Sequence, residues 1–214
     1  AQDKLEQLQQ ELVADNPLTV STYTENGSDL FTETEKLARH RQAGLIVMGI
    51  TGLSALEQVF IGSNALKMAE QKAAPVLMIL PETTFRDVKN VMLASDFKDV
   101  VNSTPSAPIK NVLDLFLPRL HIVNVDSEHY IEITETYEAE RKKIRAMFEN
   151  YNPEFYFLRM YNVEEALKMF AEDKQIDMII NIHREHSLLH RIFLPSHTKH
   201  IAYKSTVPVL SVHE

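Results

Sequence analysis

Apolar residues recur along the chain in two alternating rhythms, short continuous runs and spacings of three to four, and that alternation predicts an α/β protein. LTVSTY, GLIVMG, PVLMIL, NVMLASDF, LHIVNVD, EFYFL, DMIINI and PVLSV read as strands, several of them apolar enough for a sheet covered on both faces. Between them lie helical spacings. Leu5, Leu8 and Leu12 mark a first helix closed by Asp15-Asn16-Pro17, and Leu30, Phe31, Thr34, Leu37, Ala38 and Arg41 line a second, with Ser28 as its cap and Gly44 at its stop. SNALKMAEQKAA and APIKNVLDLF give two more. The stripe Tyr137, Arg141, Ile144, Phe148, Tyr151 and the stripe Val163, Ala166, Leu167, Phe170 give the last two.

The order of elements repeats. A shift of 133 positions lays residues 45–79 on 178–212 without a gap, with identities at Ile46/Ile179, Ser54/Ser187, Leu56/Leu189, Phe60/Phe193, Ser63/Ser196, Ala69/Ala202 and the triplet Pro75-Val76-Leu77/Pro208-Val209-Leu210. Two α/β units are therefore expected, at residues 1–82 and 83–214, joined by the polar stretch PETTFRD. With a small insertion Ala1 falls on Tyr137, so the first unit lacks a strand, a helix and a further strand that the second has; the expectation is a C-terminal part of a longer protein.

Composition narrows the function. A formal net charge of −8, with no cluster of Lys and Arg, argues against a nucleic-acid partner. The absence of cysteine removes disulfides, thiolate nucleophiles and cysteine metal sites. No apolar stretch approaches the ~20 residues of a membrane span, and the polar helix at the start does not resemble a signal peptide, so a soluble, cytoplasmic protein without a membrane partner is expected.

The chain holds only five glycines, and three of them, Gly49, Gly52 and Gly62, fall between the LIVM strand and the next helix. Strand, glycine-rich turn, helix is the arrangement in which backbone amides and a helix N-terminus converge on a phosphate. Gly52 suits a tight turn, Gly62 lets a phosphate approach the backbone, and Ser63 and Asn64 can add polar contacts at the helix start. No Lys follows the last glycine, so the loop is not a Walker A loop, and phosphate charge would be met by amides and a divalent ion.

The spacing G-x2-G-x9-G-[ST], after a strand ending VMG and before a helix and a PVL strand, resembles the ATP-binding motif of the universal stress protein family. That resemblance implies two flavodoxin-like (HUP-type) units with mainly parallel sheets in a three-layer α/β/α arrangement, and ATP, with Mg or Mn, held beside Met48 and Gly49 and around Gly52, Gly62, Ser63 and Asn64. It implies an Asp ending a first strand at the adenine-ribose end, and Asp96 is the only Asp so placed here. It further implies that PVLMIL and PVLSV pair the units as an intramolecular pseudo-dimer, with a homodimer beyond that, and a stress-response role with adenine nucleotide as conformational ligand and at most slow ATP hydrolysis.

In the second unit Ile182, Glu185 and Pro195 stand at the glycine positions and only Ser196 survives, so a structural partner role is expected there. The same segment carries His183, His186, His190, His197 and His200, where zinc could replace the nucleotide; a solvated loop is the alternative. Ser63 has no evident His-acid partner, and Asp126, Glu128 and His129 read more simply as a solvated loop than as an acid/base pair. The competing function is a nucleotide-free interaction scaffold.

Overall fold

The computed structural model describes residues 2–14, 17–27, 29–49, 63–80, 83–84, 86–126, 135–183 and 207–213. Its strands are β1 (Ile46–Gly49), β2 (Val76–Ile79), β3 (Asn90–Ala94), β4 (Arg119–Asp126), β5 (Glu154–Arg159), β6 (Met178–His183) and β7 (Val209–His213). Its helices are α1 (Gln2–Ala14), α2 (Leu30–Arg41), α3 (Ser63–Ala69), α4 (Val100–Ser103), α5 (Ser106–Leu113), α6 (Glu135–Met147) and α7 (Val163–Asp173). The strands form a single seven-stranded sheet in the order β1-β2-β7-β6-β3-β4-β5. Every neighbouring pair is parallel except β2 and β7, which run antiparallel.

Alternation along the strands sends side chains to two cores. On one face Ala65 and Met68 of α3 and Leu167 and Phe170 of α7 pack on Val76, Met78, Met92, Ile179 and Val209. On the other, Val100, Ile109 and Leu113 of α4 and α5 and Ile144 of α6 pack on Leu93, Ile122, Ile180 and Leu210. The result is the three-layer α/β arrangement expected from the apolar runs.

The internal repeat reappears as strand register. Ile46 pairs with Val76 and Gly49 with Ile79, while their 133-shifted counterparts pair identically, Ile179 with Val209 and Ile182 with Val212. At the junction Leu77 faces its own counterpart Leu210, and Val76↔Ser211 mirrors Met78↔Val209. That is the self-complementary register of a two-fold contact. PVLMIL and PVLSV therefore meet, and they fuse the two half-sheets into one.

Three local expectations are corrected. LTVSTY is not a strand. Its counterpart β5 lies on β4, which lies on β3, and the described residues of 1–82 supply no equivalent of either for LTVSTY to pair with. For the same reason α1 buries none of its residues and leaves Leu8 and Leu12 exposed. Helix α2 is capped by Asp29, whose carboxylate accepts from the Thr32 N–H at 3.0 Å, and it ends at Gln42 with φ 52° rather than at Gly44.

Helix α3 ends earlier than SNALKMAEQKAA suggests, and the stop has a partner. The Ala69 carbonyl accepts from His213 Nε2 at 2.7 Å and from Ser211 Oγ at 3.4 Å. Two β7 side chains thus satisfy a carbonyl that the end of the helix leaves open.

Helix α4 starts without a cap from its own segment, since Asp99 adopts φ 44° and makes no side-chain cap bond. Glu140 of α6 substitutes: its Oε2 accepts from the Val100 N–H at 2.8 Å and its Oε1 from Lys143 Nζ at 2.5 Å. The Lys143 bond first and the Val100 amide second hold the Glu140 carboxyl below the usual glutamate range.

Two outcomes follow from this packing. Leu210→Ala, at a fully buried position in the junction, should cost about 2–5 kcal/mol in denaturant unfolding, and a continuous sheet should still unfold in one transition. A group whose folded pKa is depressed supplies its stability in full above the unfolded value, about 4.3 for glutamate, and loses it as pH falls through the folded value. Glu140→Gln should therefore lower Tm at pH 7 and make the acid-induced loss of Tm shallower; equal acid slopes in both proteins would contradict the assignment.

Candidate functional site

Because β1 and β2 are parallel and in register, Gly49 and Ile79 close the same edge of the sheet. Met48 is half-buried and packs on the cluster that contains Ala65 and Met68, so the strand end and the helix that follows share one core. Gly49, one residue on, faces the other way and is exposed. A Cβ built on it meets nothing within 4 Å among the described residues, and its φ is not positive. Among the described residues neither packing nor backbone strain demands glycine there.

Helix α3 begins at Ser63, with Asn64 exposed in its first turn and Ala65, Met68 and Ala69 buried beneath. The same helix carries a cation that attention to the residue after the last glycine passes over. Lys67 lies one turn past Ser63, and its Nζ is 5.6 Å from the Phe31 ring centroid of α2. Its signal in the sequence was the i, i+4 spacing from Ser63. Gly52 and Gly62, with the rest of residues 50–62, lie outside the described residues.

Asp96 is not brought to this edge. β3 runs parallel to β6 and β6 to β7, while β7 opposes β2, so the C-terminal end of β3 lies on the opposite edge of the sheet from Gly49. Four strand steps also separate β3 from β1, roughly 19 Å at ~4.8 Å each. Asp96 is exposed, and its Oδ1 accepts from the Lys98 N–H at 3.1 Å in a local turn. It belongs with the C-terminal edge of the second unit. There Asn124 Nδ2 donates to the Ser95 carbonyl at 2.9 Å and ties β4 to the turn after β3.

Of the histidine group, only His183 is described; His186, His190, His197 and His200 lie outside. Among the described residues no group of three or more His, Cys, Asp or Glu is arranged to hold a metal ion. His183 instead sits in register with His213 on β7, ring centroids 4.7 Å apart. Burial, with smaller contributions from His183 and Lys72, lowers the His213 pKa against the opposing effect of its bond to Ala69. The His213 contact with α3 escaped the sequence because residues 69 and 213 meet only through the β2–β7 junction. Asp126 ends β4, and Glu128 and His129 lie outside the described residues.

The model of the family described as Universal stress protein family matches residues 1–79 and 119–213. Among solved structures, a functionally unknown protein from Pseudomonas aeruginosa PAO1 is similar over 99% of this chain and 77% of its own, with 16% identity and a TM-score of 0.67. A universal stress protein from Archaeoglobus fulgidus DSM 4304 is similar over 100% of this chain and 76% of its own, at 18% identity and a TM-score of 0.66. A putative universal stress protein from Pseudomonas aeruginosa UCBPP-PA14 gives 17% identity and a TM-score of 0.65 over 99% and 78% of the two chains. Identities this low speak to the shared fold. A search of curated proteins found no match.

Proposed function

The chain belongs to the universal stress protein family, and from that premise we propose that it binds ATP at the β1–α3 edge, the nucleotide acting as a conformational ligand in a cytoplasmic stress response. The observation that carries this is an exposed Gly49 at the end of β1, with no described residue within 4 Å of a Cβ built on it, at the head of a loop whose glycines have the family's spacing. Met48 would lie beside the base and Ser63 and Asn64 at the phosphates. Gly52 and Gly62 would give backbone amides room to approach. Mg or Mn would share the phosphate charge, which no lysine directly after Gly62 is present to meet.

In this proposal residues 1–82 hold the nucleotide and residues 83–214 act as the pseudo-dimer partner, with a homodimer of the whole chain as the next level of assembly. The second unit would not take ATP by the same route, because Ile182 occupies the position of Gly49 and is buried. No described helix is long and apolar enough to cross a membrane.

A second reading, a nucleotide-free interaction scaffold, is favoured by one feature: Val47, beside the loop, is 60% exposed, as are Leu8 and Leu12 of α1 to a lesser degree. Mass spectrometry of small molecules released from the natively purified protein separates the two. Stoichiometric adenine nucleotide, and calorimetric ATP binding weakened at least about tenfold by Gly62→Val, are the expected results. No released nucleotide together with no calorimetric heat would leave the scaffold in its place.

A further inference from the structure

A cavity of about 290 Å3 opens where the two units join, at the sheet edge that Gly49 also occupies. One wall is Ile79, the last residue of β2 and the register neighbour of Gly49. The opposite wall is made by the segments leading into β6 and β7, Ile176 and Val207-Pro208. The third side is made by the described linker residues Thr83, Thr84, Arg86 and Val88, with the Thr83 N–H donating to the Leu80 carbonyl at 3.0 Å.

The chemistry of these walls is unequal. Ile79, Val88, Ile176, Val207 and Pro208 present hydrocarbon. Among the described lining residues the one carboxylate is Asp177, whose Oδ2 accepts from the Lys89 and Asn90 N–H groups at 2.9 Å each. Arg86 is exposed at the rim and makes no ion pair with a described residue. An apolar floor with one uncommitted guanidinium at its mouth complements a molecule with a hydrocarbon body and a single anionic end. Guanidinium presents a planar fork that matches a carboxylate bidentately, and with one cation available a monoanion is better matched than a phosphate dianion. The volume lies just below the ~300–1,000 Å3 usual for ligand pockets, which limits the occupant to a small molecule.

We propose that this junction cavity is a binding site for a small amphipathic monocarboxylate, with its chain between Ile79, Ile176 and Val207 and its carboxylate on Arg86. Its described lining includes none of Met48, Gly49, Ser63 and Asn64, and the proposal does not depend on nucleotide binding at the glycine loop. Since its walls come from both units and the linker, its ligand would bear on how the two halves sit together at the edge shared with Gly49.

The test is a methyl NMR titration of the Ile/Val-labelled full chain with sodium octanoate, without nucleotide. The expected result is saturable shifts at Ile79, Ile176 and Val207 below about 1 mM, with affinity about tenfold lower in Arg86→Ala and about tenfold lower for neutral octanol on the unaltered protein. Octanol should bind Arg86→Ala and the unaltered protein alike. Arg86 is exposed, so a folded variant is expected, and its unshifted remaining methyl spectrum verifies that. No saturable shift at these three residues, or equal octanoate affinity in Arg86→Ala, would overturn the site.

Discussion

The antiparallel contact of β2 with β7 is the constraint on which the rest of this molecule depends. Each strand would otherwise be the open edge of its own half-sheet, presenting unpaired N–H and C=O groups. Pairing Leu77 with Leu210 removes both edges at once and makes the cores beneath them continuous, since Val76 and Met78 share a cluster with Ile179 and Val209. The price is direction. Because the contact reverses strand polarity, the C-terminal ends of β1 and β2 point one way and those of β3, β4, β5, β6 and β7 the other.

Direction then decides which residues can cooperate. Gly49 ends β1 and Ser63 begins α3, and the two elements are tied to the edge of the first unit through the core that Met48 shares with Ala65 and Met68. Asp96 and the His183/His213 pair stand at the opposite edge. No rearrangement of side chains bridges that separation, so a ligand on the glycine loop would draw its remaining contacts from residues at its own edge. Lys67 is the nearest cation on α3 past Ser63, and the Phe31 ring beneath its ammonium keeps it on that side of the sheet. The same reversal brings the leaders of β6 and β7 beside the end of β2, which is why a cavity forms at the junction.

How much of this was legible in the sequence depends on whether a feature is local. The apolar runs of β2, β3, β4, β6 and β7 were visible because a strand covered on both faces is apolar throughout, and that of β1 was visible although its Val47 is exposed. The repeat was visible because equal packing environments kept residues such as Pro75-Val76-Leu77 and Pro208-Val209-Leu210 alike. LTVSTY has the composition of a strand and fails to be one, since a strand exists only beside another strand. The helix stops were misplaced at Gly44 and beyond Ala69 because a left-handed Gln42 closes one helix and His213, distant in sequence, donates to the last carbonyl of the other. The glycine spacing suggested the candidate site, of which Met48, Gly49, Ser63 and Asn64 are described. Its separation from Asp96 could not be read there, because that follows from strand polarity across a contact between residues 77 and 210.

Packing also accounts for the asymmetry between the repeats. Gly49 and Ile182 hold equivalent register positions, and both face the side of the sheet where α4, α5 and α6 lie over the second unit. Ile182 is buried there in the cluster containing Phe97, Tyr137, Ile144 and Val212. Truncating it to glycine would leave a cavity, at about 2–5 kcal/mol for the lost side chain and roughly 0.5–1 more for glycine within a strand. No described helix covers Gly49, and a Cβ there would meet no described residue within 4 Å. The second unit thus cannot regain a glycine at this position without weakening its core, whereas the first can keep one at little cost. The different chemistry of the two edges is in this way fixed by what lies over each strand.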